Sequence, residues 1–193
     1  MNPLTSVKGT IITGFILAGI IVFAGGMSGF TALNLEVWLH VLAGIVWIGL
    51  LYYFNFVQVP GVGAALADSD GPGPAAINKY VAPTALLWFR WAAVVTWITG
   101  VGALEGLGGA MSAFTFSAGM EVIGLGAWLG TIMLFNVWVL IWPNQQKILG
   151  MKEATADEIA KAKFVALMAS RTNTVLSIPM LLCMIGFGHG LTF

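Results

Sequence analysis

"NLEVWLHVLAGIVWIGLLYYFNFV", residues 34–57, decides the fold. It carries one acid, Glu36, and one histidine, His40, in an otherwise apolar run. Crossing the hydrocarbon core of a bilayer takes about 20 mostly apolar residues, so this stretch is long enough to span. Four more stretches read the same way, at about 10–30, 82–104, 118–141 and 163–190. Together they take up most of the 193 residues, of which 59% are hydrophobic and 8% charged. A soluble domain carries about 25% charged residues. With mean hydropathy +0.92, the chain reads as an all-α, polytopic membrane helix bundle. It forms a single membrane domain, 1–193, with five transmembrane helices, a peripheral first span at about 10–30 and a four-helix core at about 34–190. The first span reads as retained, because no small-x-small cleavage site follows it.

Prolines and polar runs set the expected boundaries. Pro83 opens the third span, where a first-turn proline is tolerated. Pro143 ends the fourth, since proline cannot continue a regular helix. Residues 58–81, with "ADSDGPGPAA", read as a turn-rich loop, and 31–33 and 105–117 as short Gly-rich connections. Thr155 with Glu158 three residues on is a capping box, opening a helical extension of the fifth span.

The charges fix an orientation. Lys8, Lys79, Lys147, Lys152, Lys161 and Lys163 fall on one side of a five-span chain, and Glu36, Glu105 and Glu121 on the other. The positive-inside rule then places the N-terminus in the cytoplasm and the C-terminus outside, and the inner (cytoplasmic) membrane is the expected location. The net charge of zero gives no ground for a nucleic-acid partner, and none is expected. The lone cysteine, Cys183, excludes an internal disulfide framework and a Cys-based metal site.

The two histidines, His40 and His189, fall near the outer ends of the second and fifth spans. They come from different helices, as a two-sided axial cage requires. Gly44 lies one turn from His40 and Trp47 two turns, on one face; Gly186 precedes His189. Small residues beside a ligating histidine leave room for a macrocycle, and axial histidines commonly hold haem iron in bundle cores. One bis-His haem b is the expected cofactor, with His40, His189, Gly44, Trp47 and Gly186 as its candidate residues. The bland alternative is a histidine bonded to a carbonyl or headgroup, which weighs most on His189. Copper at Met180, Met184 and His189 is a further alternative, set against the common role of methionine as packing.

A second polar group falls toward the cytoplasmic side: Asn55, Arg90, Asn136, Arg171 and Asn173. Unpaired charge in hydrocarbon is costly, and no acid lies at that depth. The two arginines could reach lipid phosphates, bind haem propionates, or line a pocket for an anionic or amide-rich small molecule.

Four motifs in order, "WLHVLAGIVWIGLLYYFNF", "ALLWFRWAAVVTWITG", "NVWVLIWPNQQ" and "SRTNTVLSIPMLLCMIGFGHG", resemble the membrane domain of the PuuD-type urate hydroxylase family, over about residues 36 to 190. The histidine-bearing helix is more distantly similar to those of HemJ-type and CopD-type haem-associated membrane proteins. The resemblance implies a link to urate oxidation, with His40 and His189 as haem ligands. That family joins its longer membrane domain to a cytochrome c domain, whereas this sequence contains no CxxCH motif. Three functions follow as expectations. One is a haem b redox subunit passing electrons to an external cytochrome c, for which Glu36, Glu105 and Glu121 suit docking of a basic partner. Another is a membrane oxidase of urate or a related reductant. The last is a structural subunit of a larger respiratory or photosynthetic complex.

Overall fold

The computed structural model describes residues 2–27 and 29–192. Met1, Ser28 and Phe193, included in the expected domain 1–193, lie outside the described residues. Among those described there is helix and no strand. Five helices are long and apolar enough to cross a membrane: α1 (Val7–Ala24), α2 (Ala32–Ala67), α3 (Ile77–Leu107), α5 (Glu121–Ile148) and α6 (Ala156–Gly188). The protein is thus an all-α, multi-pass membrane protein. A short helix, α4 (Ala110–Phe114), sits in the connection expected to be irregular. Residues 1–35 and 36–193 form two compact units. In the first, Ser6 caps α1 by accepting from the Gly9 amide at 3.1 Å. Thr31 and Asn34 cap the start of α2 reciprocally.

Helix boundaries differ from the sequence expectation in one systematic way. α2, α3 and α5 each contain a π-helical turn, at Phe54–Gln58, Ile77–Val81 and Asn136–Ile141. Each turn ends two residues before a proline: Pro60, Pro83 or Pro143. In a regular helix the proline ring collides with the carbonyl four residues earlier. Here those carbonyls belong to Phe56, Lys79 and Val139, all inside the π turns, where the wider i→i+5 spacing makes room. The helices therefore pass through their prolines. α2 runs on to Ala67, so the expected loop 58–81 shrinks to about its middle third. α3 starts before Pro83 rather than at it, and Pro143 does not end α5. Side-chain amides cover carbonyls near these turns: Asn55 donates to the Leu51 carbonyl (2.9 Å), Asn144 to Leu140 (2.7 Å) and Asn173 to Met133 (2.9 Å).

Within the second unit, neighbouring helices run antiparallel, as successive membrane crossings must. Phe54 meets Phe89 edge-on (5.5 Å between centroids) while His40 meets Thr96; Trp91 meets Trp138 (5.6 Å) while Trp97 meets Thr131. The core gathers Trp47, Leu51 and Phe54 of α2, Leu86, Phe89 and Ala93 of α3, Met133, Val137 and Ile141 of α5, and Ala169 and Met180 of α6. α6 turns a line of small residues inward, Ala162, Ala166, Ala169, Asn173, Ser177, Cys183 and Gly186. Its opposite face, Val175, Ile178, Leu182 and Ile185, is more than 60% exposed. That is the pattern of a helix facing lipid on one side and packing closely on the other. At Gly126 the approach is tight: a Cβ there would stand 3.1 Å from the Cys183 Cβ.

The capping box appears as expected. Glu158 accepts from the Thr155 amide at 2.9 Å and the Thr155 hydroxyl accepts from the Glu158 amide at 3.3 Å. Glu158 also pairs with Lys147 at 3.6 Å, tying the start of α6 to the end of α5. Thr155→Ala should cost about 1 kcal/mol, read as a lower melting temperature in detergent, with Thr155→Ser near wild type.

Candidate functional site

His40 projects from α2 against α3. Its Nδ1 lies 2.8 Å from the Thr96 carbonyl oxygen. A carbonyl only accepts, so Nδ1 carries the proton and, in the neutral ring, Nε2 holds the lone pair. The ring is seated over Gly100, where a Cβ would come within 2.8 Å of both Cε1 and Nδ1. One turn earlier on the same face, the Glu36 carboxylate rests against Gly102, whose Cβ would lie 2.9 Å from it. Gly100 and Gly102 are thus what admits an imidazole and a carboxylate between α2 and α3. Thr96 and both glycines escaped the sequence reading; "ITGVGAL" in the third span, with two glycines a residue apart, was the available signal.

His189 closes α6 as its C-cap, exposed, with Nδ1 donating to the Ile185 carbonyl of its own helix at 2.8 Å. The helix register relates the two histidines. Tyr52 Oη and Ser177 Oγ are 2.9 Å apart and pin α2 to α6. Each histidine stands twelve residues from that bond toward the same end of the bundle, about 18 Å along each axis. They therefore share a depth, though no hydrogen bond joins them among the described residues. The remaining cofactor candidates face elsewhere. Gly44 abuts the Thr96 methyl (3.8 Å from a built Cβ), and Leu191 folds over Gly186 (2.6 Å). Leu191 thus covers Gly186, while the Thr96 methyl lies at ordinary van der Waals distance from Gly44. Trp47 is buried in the apolar core at 2% exposure, its Nε1 unpaired.

The acids at this end have local tasks. Glu105 Oε1 accepts from the Ala110 amide at 3.2 Å and caps α4. Glu121 stands in the first turn of α5, where the helix dipole favours a negative charge.

The second polar group divides. Asn136 donates to Asn173 Oδ1 at 2.8 Å, and Asn173, fully buried, donates onward to Met133. Asn55 donates to Ser170 Oγ at 2.8 Å and leaves its own Oδ1 unpaired. Arg90 is buried, its guanidinium carbon 3.3 Å from the centre of the Trp142 ring and 5.9 Å from that of Trp138. Arg171 does not join them. It lies on the exposed face of α6, because two residues turn a helix by about 200° and Asn173 faces inward. Trp138 and Trp142 were missed as Arg90's neighbours; their four-residue spacing near the end of the span was the signal.

Residues 109–193 match the family model described as Urate oxidase N-terminal, consistent with the membrane domain of a PuuD-type urate hydroxylase. The match includes Asn136, Trp138, Asn173 and His189, whereas His40 and Arg90 precede it. No curated protein and no solved structure matches the chain.

Proposed function

We propose that this protein is a membrane electron-transfer subunit that binds haem b through His40. The observation that carries the reading is the Nδ1–H bond to the Thr96 carbonyl. Ligating histidines characteristically donate their second nitrogen to a carbonyl or carboxylate, which fixes the tautomer and the ring orientation. Here that bond and the Gly100 seat hold the imidazole with Nε2 as the ligating atom. His189, at matched depth, is the proposed second ligand. The bound haem would supply one-electron redox chemistry. The chain's own contribution is to orient Nε2 and to present Glu36, Glu105 and Glu121 at the same end, where a basic cytochrome c could dock.

The family match favours a second reading in which urate or a related small reductant supplies the electrons. Both are tested on the purified full chain. A pyridine haemochrome assay should give about one haem per chain, lost in His40→Ala because a methyl group cannot replace an axial nitrogen. A haem-free wild-type preparation from haem-replete cells would instead favour a structural subunit. Reduction of the haem by added urate would assign the electron source, and its absence would leave electron transfer without urate oxidation.

A further inference from the structure

Arg90 is 8% exposed, and its Nε and Nη1 have no hydrogen-bond partner. No acid pairs with it among the described residues; the ion pair found there is Lys147–Glu158. Trp142 covers the face of the guanidinium at 3.3 Å, so its N–H donors, which lie in the guanidinium plane, are not engaged by that ring. Trp138, also beside Arg90, has a buried Nε1–H without an acceptor. A planar fork stacked on an indole matches carboxylate or phosphate oxygens, which accept two parallel N–H bonds. A buried cation with no anion is costly, and an oxyanion partner would offset that cost.

The second observation lies one to two turns further along α3. Val94, Trp97, Thr131, Leu134, Phe135 and Trp138 line an open, almost wholly apolar groove of about 430 Å³ between α3 and α5. Trp138 belongs to both features: its ring walls the groove and stands beside Arg90. Arg90 precedes Val94 on α3, and Trp142 follows Trp138 on α5, so the cation lies at one end of the groove. An amphiphile with a charged head and an apolar chain has that layout.

We infer that Arg90, Trp138 and the α3–α5 groove form a binding site for an acyl-chain oxyanion, the head held by the Arg90 fork and the chain laid along Val94, Trp97 and Phe135. Anionic phospholipid phosphate and fatty-acid carboxylate share this chemistry. This site is independent of the haem proposal.

The test uses the full chain, delipidated in neutral detergent, with tryptophan emission as the readout. Didecanoyl-phosphatidylglycerol and oleate are titrated separately, with monoolein as the uncharged amphiphile and inorganic phosphate as the tail-less oxyanion. Saturable binding of phosphatidylglycerol, oleate or both is expected, and which one binds identifies the source. Arg90→Gln should weaken it at least tenfold. Arg90→Lys, which keeps the charge but loses the fork, should weaken it nearly as much. Val94→Trp, which fills the groove, should also weaken it, and Arg171→Gln on the exposed face should not. The proposal is overturned if wild type shows no saturable response to either amphiphile, if Arg90→Gln or Arg90→Lys binds as wild type does, or if inorganic phosphate or monoolein binds as tightly as the amphiphilic anions. Unchanged binding by Val94→Trp would overturn the groove's part in it.

Discussion

Gly124→Ala should destabilise the protein by about 2–3 kcal/mol, a cost typical of overpacking a close contact. A Cβ at position 124 of α5 would fall on the carbonyl oxygen of Ala113 and lie 3.0 Å from its carbonyl carbon, with Phe116 Cδ1 at 3.3 Å. The first two are backbone atoms of α4 and its carbonyl cannot rotate aside as a side chain can. α4 must shift, which opens the apolar cluster of Leu104, Ala110, Ala113, Met120, Ile123 and Ala127. Alanine also favours the helical backbone over glycine by up to about 1 kcal/mol, which offsets only part of the loss. Gly130→Ala isolates that term: Gly130 is buried on the same helix, yet nothing lies within 4 Å of a Cβ built there. Gly130→Ala should therefore melt at or slightly above the wild-type temperature, and Gly124→Ala well below it. Equal melting of the two variants would show that α4 does not depend on this close approach.

Gly100→Ala should displace His40. The new methyl would stand 2.8 Å from Cε1 and Nδ1 of the ring, well inside van der Waals contact. The imidazole is planar and rigid, so it must turn away from α3, breaking the 2.8 Å bond to the Thr96 carbonyl. An unsatisfied, partly buried N–H costs about 1–3 kcal/mol, again partly offset by the helical preference of alanine. The larger expected effect is functional. With Nδ1 released, neither tautomer nor ring orientation is fixed, and the haem content proposed above should fall severalfold although His40 itself is intact. Nitrogen NMR of the imidazole gives a readout independent of haem: a single Nδ1–H tautomer in wild type and a mixture in the variant. A single Nδ1–H tautomer retained in Gly100→Ala would show that the glycine does not hold the ring.

The number and order of the spans were legible because an apolar run of membrane length has few other readings, as in residues 34–57. The capping box was legible because Thr155 and Glu158 act within one turn. Pro143 misled for a physical reason: it was judged against a uniform α-helix, and the π turn before it changes the carbonyl it faces. Arg171 was grouped with Asn173 by depth alone, although helical period already sets them on different faces. The neighbours of Gly44 and Gly186 could not be read without the fold. What a glycine admits depends on its neighbour, and Thr96 is 52 residues from Gly44 in sequence. The same tertiary dependence hid Gly100 as the seat of His40 and Trp142 as the cover of Arg90.

The π turns at Phe54–Gln58, Ile77–Val81 and Asn136–Ile141 also act as phase shifters. Each inserts one residue relative to a uniform helix, which rotates everything beyond it by about 100°. A single helical wheel drawn through α2, α3 or α5 therefore goes out of phase at the π turn, and two wheels are needed for each helix. In α5 the shift falls between Met133, in the core, and Trp142, over Arg90. Losing the extra residue would swing Trp142 off the guanidinium while leaving Met133 in place. One segment of α5 thus answers to the packing of the bundle and the next to the cation, and the two can be aimed independently.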